Sequence, residues 1–287
     1  MNKKNYFVKY VIFCVAVCLV IGASTQNAFS YRFDLKKDFW EVEKGDHFIV
    51  FYHPSISRDY VEEFIDNCEG YYDSIKDRLG FSRYDFWLWE DRATIFIFKE
   101  KEEYLEKCGR KEWSAASVNY NKKIIKTFYQ EEDFLETILP HEVSHIILRE
   151  FIGMKVKAPL WFDEGVAVVN EKGCLQKYLF VAKCLVENGY YIPVDKMDSI
   201  TNKQLIAPTV FYPMAGALII FLFEKKGEKG FLSFCEELKR KVNFYDAIDA
   251  VYGIKSPEEL NREIVAYLES LEYEDIKNAN GFDVEWP

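Results

Sequence analysis

The chain predicts an α+β fold, with a sheet and its helices in the first half and helices alone in the second. Three observations carry that expectation. Runs rich in aromatic and β-branched residues, the mark of strands, fall before residue 130. From Glu164 onward apolar positions recur almost wholly at helical spacing, with Gly189, Gly227 and Gly253 as punctuation. A length of 287 residues with 49% apolar and 17% aromatic content suffices for a real core and excludes a disordered chain.

Taken in order, residues 1–30 place Lys3, Lys4 and Lys9 ahead of an uncharged run from Tyr10 to Ala23. A charged start and an apolar run of that length read as a signal peptide or a membrane anchor. The run falls short of the roughly twenty apolar residues a spanning helix needs. Ala28-Phe29-Ser30 supplies small residues at a spacing suited to cleavage, so export with cleavage is favoured over an uncleaved anchor, and a buried core element comes last. No other stretch reads as long and apolar enough to span. Residues 31–44 read as a linker.

Residues 45–155 form the expected sheet-plus-helix region. Asp46–Tyr52 and Ala93–Phe98 are strands by composition, and Tyr60, Val61, Phe64, Ile65, Cys68, Tyr71, Tyr72 and Ile75 mark a helix over 58–79 closed by Gly80. A short acidic-basic helix follows the second strand. Ser114 to Phe128 reads as a hairpin turning at Asn121-Lys122-Lys123. Pro140 either kinks a helix that began near Glu132 or opens a new one as its first residue. Residues 156–275 are expected to be helical, with helices over about 174–188, 208–226, 228–241, 243–252 and 257–272. Residues 276–287 are left as a tail, and the acidic end after Leu271 as solvated and frayed. There are no internal repeats, low-complexity tracts or glycine-rich phosphate loops.

The chemistry concentrates in Pro140-His141-Glu142-Val143-Ser144-His145. Residues four apart share one face of a helix, so His141 and His145 can grip a single metal ion while Glu142 sits beside it, placed to take a proton from water. Two of the four histidines fall in this one pentapeptide. Glu164, with eighteen residues between it and His145, is the candidate third ligand, since a catalytic zinc site takes three protein ligands and leaves one position open. Gly153 and Pro159 can turn the chain so that a second helix presents Glu164 to the same point. Asp163 competes, but it points about 100° away on that helix.

The H-E-x-x-H helix, this interval and Trp161-Phe162-Asp163-Glu164-Gly165-Val166-Ala167 resemble the gluzincin zinc metallopeptidases, in their aminopeptidase-like branch and the peptidase MA-like domains. Tyr212-Pro213-Met214-Ala215-Gly216 agrees with a third family segment, in which a tyrosine opens an apolar helix and hydrogen-bonds the oxyanion of the tetrahedral intermediate. The resemblance spans roughly residues 45–272. It implies a two-lobed zincin-like architecture, with zinc held by His141, His145 and Glu164, Glu142 as general base and Tyr212 as oxyanion donor. It also implies a peptide or protein substrate, pairing as an extended chain with an edge strand for which residues 114–120 are the candidate.

Two departures stand out. The G-x-M-E-N segment that reads a substrate's free amino group is missing, the corresponding region being Trp113 to Tyr120, so exopeptidase activity is not expected. Val168 occupies the position four after Glu164 where some gluzincins carry a carboxylate supporting a ligand histidine. Either Asn170, Glu171 or a backbone carbonyl takes that task, or the metal is bound more weakly.

The remaining features are plainer. A formal charge of −10, or −13 once the three lysines of residues 1–30 are removed, argues against nucleic-acid binding. Beyond the leader, Cys68, Cys108, Cys174, Cys184 and Cys235 form no C-x-x-C pair and read as small apolar residues. His47 and His53 read as surface or satisfied core groups. Tyr120, Tyr190 and Tyr191 are alternative oxyanion donors to Tyr212, whose plainer reading is packing. The expected function is an extracytoplasmic zinc endopeptidase. The alternative is a catalytically inactive metal- or peptide-binding scaffold of the same fold, against which the presence of Glu142 argues; hydrolysis of a non-peptide amide shares the same metal chemistry.

Overall fold

The computed structural model describes residues 40–84, 86–88, 91–110, 114–130, 134–173, 175–201, 207–240, 242–273 and 276. The leader, most of the expected linker, Cys174 and residues 277–287 lie outside the described residues. Ile276, expected in a solvated tail, is instead buried in the main core, an apolar side chain that anchors the end of the described chain. The fold is α+β, as expected.

Five strands form one mixed sheet: β1 (Glu41–Lys44), β2 (Phe48–Tyr52), β3 (Ala93–Phe98), β4 (Ala116–Asn119) and β5 (Ile124–Phe128), in the order β1-β2-β3-β5-β4. The central β2, β3 and β5 run parallel, and both edge strands pair antiparallel to their neighbours. Alternation along β3 explains how the sheet is covered. Ala93, Ile95 and Ile97 enter the main core, while Phe96 and Phe98 turn to the other face, where Trp40 and Tyr104 pack on them. Tyr104 comes from α2 (Lys101–Cys108), the short helix after β3. The main face receives α1 (Arg58–Arg78), which starts at Ser57, whose side chain accepts from the Tyr60 N–H.

Several details differ from the sequence expectation. β1 lies in the span read as linker, and a short helix over Val194–Asp198 (α6) was not foreseen. The expected helices over 208–226 and 228–241 are joined in α7 (Pro208–Lys239), with a break at Gly227, where φ 66° and ψ −174° require a residue without a Cβ. Contrary to the reading that no second stretch could span a membrane, α7 is long and apolar enough by length and composition, although most of its apolar stretch is buried within the protein.

The site helix, α3 (Leu139–Ile152), resolves the question of Pro140. A π-helical turn over Phe134–Ile138 leads into it, and Pro140 sits in its first turn, where its missing N–H costs no internal hydrogen bond. Gly153 ends α3 and the chain returns at Pro159 into α4 (Leu160–Val168). Helices α5 (Leu175–Glu187), α8 (Phe244–Tyr252) and α9 (Pro257–Ser270) complete the helical part. Trp161 and Phe162 of α4 are fully buried against Phe244, so the helix bearing Glu164 is seated on an aromatic layer. At Gly165 a Cβ would stand 2.5 Å from the Ala215 carbonyl oxygen, and glycine there lets α4 and α7 touch backbone to backbone.

Candidate metal centre

α3 puts His141 and His145 on one buried face, and their Nε2 atoms lie 3.2 Å apart. Glu164, 1% exposed on α4, brings Oε2 to 3.7 Å from His141 Nε2 and Oε1 to 3.7 Å from His145 Nε2. A tetrahedral ion about 2.1 Å from each of three ligands sets those ligands about 3.4 Å apart. The observed spacings bracket that value. Among the described residues this is the one group of histidine, cysteine and acidic side chains that converges closely enough to hold a metal ion. Two imidazoles and one carboxylate suit a divalent cation of borderline softness.

The surroundings fix the ligands. His141 Nδ1 lies 2.8 Å from Glu171 Oε1, so with the proton on Nδ1 the ring presents its other nitrogen to the cluster. Glu171 is itself held by the Tyr178 hydroxyl, which donates to its second oxygen at 3.1 Å, and all of these groups are buried. Glu171 thus makes the contact to a candidate ligand histidine that Val168 cannot make. The chain that carries it is anchored from α1: the buried Arg78 donates to the Val169 carbonyl at 2.7 Å and to Asn170 Oδ1 at 3.2 Å. Burial lowers the Arg78 guanidinium to about 10. For His141, burial works against the charged form, but the carboxylates of Glu164 and Glu171 beside it outweigh that and lift the imidazole to about 10 in the protein alone.

Asp163 does not join the cluster. It pairs with Arg149 of α3, which also donates to the Val156 carbonyl at 2.8 Å, so the turn between α3 and α4 is tied from inside. On the far side of α4, Trp161 Nε1 donates to Asp198 of α6 at 2.7 Å. Neither Tyr178 nor these two ties had a local signal in the sequence, because each joins residues on different helices or turns.

Glu142 is half-buried at the cluster's edge, and the Tyr120 hydroxyl donates to its Oε2 at 3.1 Å. The Tyr120 ring stands edge-on to His145 at 5.3 Å. Burial, then the charges of Glu142 and Glu164, hold this phenol well above the usual tyrosine range, so it is a donor at neutral pH. Tyr212 is buried in the second turn of α7, edge-on to Phe211, one turn before the Ala215 contact with Gly165. The helix starts at Pro208, as the expected span 208–226 has it, so Tyr212 lies one turn inside it and does not open it. His47 and His53 lie elsewhere, bonded to Glu69 and Ser55. The described cysteines are free. Compared with known proteins, the chain matches no family model and no curated protein, so a functional reading rests on the geometry above.

Proposed function

We propose that the chain is a zinc-dependent metallopeptidase of the gluzincin type, with the two-lobed zincin-like architecture, hydrolysing peptide bonds as an endopeptidase. The observation that carries this reading is the buried convergence of His141, His145 and Glu164 with Glu142 on the same turn of helix. The cation, when bound, supplies Lewis-acid polarisation of a carbonyl and draws the pKa of a water towards neutrality. His141, His145 and Glu164 hold it, and Glu171 keeps His141 in the tautomer that presents Nε2. Glu142 takes the proton from the attacking water and passes it to the leaving amine. Tyr212 donates to the developing oxyanion, a role that rests on the family resemblance alone. Among the described residues β4 is an edge strand of the sheet, and its outer side suits an extended peptide as a partner.

The leader, with Lys3, Lys4 and Lys9 before an apolar run, supports action outside the cytoplasm, by secretion or by membrane attachment through residues 1–30. The experiment is metal content with cleavage of denatured casein, comparing wild type and Glu142→Gln. Both proteins are expected to hold one zinc, and cleavage to fall about 10²- to 10⁴-fold in the variant. If both hold metal and neither cleaves above background, the inactive-scaffold reading replaces this one.

A further inference from the structure

We propose that Tyr120 is the positioning residue of the general base, fixing the Glu142 carboxylate through its hydroxyl from the opposite wall of the site. The inference rests on the peptidase reading above and adds a residue to its machinery. Glu142 projects from α3 at the margin of the cluster, half-buried, and a glutamate side chain there has several rotamers open to it. Only one carboxylate oxygen can meet the water, and the other must be held. Tyr120 donates to Oε2 at 3.1 Å, which leaves Oε1 for the proton.

The donor is itself fixed. Tyr120 opens a 3₁₀ turn, Tyr120–Lys122, between β4 and β5. Asn119 Oδ1 accepts from the Lys122 N–H at 3.1 Å, and the Lys123 N–H returns to the Tyr120 carbonyl at 3.2 Å. Lys123 then reaches α3 a second time, pairing with Glu150 at 3.3 Å. The turn is therefore pinned to α3 at two points, Glu142 and Glu150, on either side of His145. Between them the Tyr120 ring rests edge-on against the His145 imidazole at 5.3 Å. A hydroxyl on a rigid ring, on a turn clamped at both ends, leaves the carboxylate little freedom.

The test uses the full zinc-loaded chain and four proteins: wild type, Tyr120→Phe, Glu142→Gln and the double variant. Phenylalanine keeps the ring against His145 and removes only the hydroxyl. On a peptide substrate Tyr120→Phe is expected to lower kcat about 10- to 100-fold, a part of what general-base catalysis supplies, with KM changed less than about threefold. Zinc affinity, measured by chelator competition, is expected to stay within about twofold, as is proper to a residue that acts on the base and not on the ion. Binding of a phosphinic pseudopeptide closes the cycle without needing turnover. Tyr120→Phe should weaken it in wild type and leave it within about twofold in the Glu142→Gln background.

A kcat within about threefold of wild type, a loss of zinc, or an equal loss of inhibitor binding in both backgrounds each overturns the proposal. The first makes the hydroxyl idle, the second makes it part of the metal support, and the third makes it act on the ligand directly. A wild type no more active than Glu142→Gln and blind to the phosphinic peptide removes the peptidase reading and this inference together. An active wild type with an indifferent Tyr120→Phe removes this inference alone.

Discussion

Two histidine–carboxylate pairs in this protein have nearly the same length and opposite surroundings. His47 Nδ1 lies 2.6 Å from Glu69 Oε2, the His47 N–H donates to the other oxygen of the same carboxylate at 2.9 Å, and the ring stacks on Tyr72. All of that bonding fastens the start of β2 to α1. His141 Nδ1 lies 2.8 Å from Glu171, but the ring's other nitrogen faces His145 and Glu164. The first pair keeps side-chain exposures of 17% and 22%, the second 1% and 1%. A carboxylate on one nitrogen is thus a common clamp. It becomes support for a ligand when the other nitrogen is aimed at more donors and water is kept out.

The comparison breaks most sharply on removal of the rings. His141→Ala is expected to cost more than the roughly 100-fold in zinc affinity typical of losing a supporting partner, and to abolish cleavage, while His47→Gln leaves both unchanged. Chelator competition measures the first quantity and casein hydrolysis the second. Zinc lost from His47→Gln would erase the distinction. The carboxylates come next. Glu171→Gln is expected to weaken zinc about 10- to 100-fold, and Glu69→Gln to spare zinc while lowering unfolding free energy by about 1 kcal/mol.

Much of this contrast was legible in the residues. His141, Glu142 and His145 declare themselves because helix geometry alone puts positions four apart on one face. Glu164 followed from the interval and from the tryptophan before it. Glu171 remained one of three candidates, because its approach to His141 depends on how the chain turns after Val168, and that turn is set by Arg78 from a helix some ninety residues earlier. Tyr178 could not be read at all, for its partner lies across a turn that includes Gly173. In the fold, β1 escaped because Glu41-Val42-Glu43-Lys44 has a single apolar residue, and its pairing partner β2 supplies the order its own sequence does not. α6, five residues long, is too short for any periodicity to register.

Packing should sharpen the comparison further, since the His141 side of it depends on α4 lying close to α7. Gly165→Ala forces a methyl to within 2.5 Å of the Ala215 carbonyl oxygen, which a backbone atom can relieve only by moving the helices apart. A loss of about 1–3 kcal/mol in stability is expected, as for other overpacked sites, together with weaker zinc binding as Glu164 moves away. Thermal unfolding with and without chelator separates the two effects. Unchanged zinc affinity in a destabilised variant would mean that the position of Glu164 does not depend on that contact.

The smallest effect concerns protons. In chelator-treated protein His141 titrates near 10, against an ordinary value near 6.5, because Glu164 and Glu171 overcome the cost of burial. A raised pKa in the folded state means stability that is present in full below about 6.5 and is lost as pH rises through about 10. Urea unfolding of the chelated wild type and of His141→Asn, at several pH values across that window, isolates the contribution of His141 together with the carboxylates coupled to it, because groups that do not interact with it are shared and cancel in the difference. The wild-type advantage is expected to shrink steadily with rising pH. Zinc affinity should move the other way, strengthening over the same window as the proton that competes for His141 is withdrawn. A difference between the two proteins that stays flat with pH would mean that Glu171 orients a neutral ring, with no charge for the cation to displace.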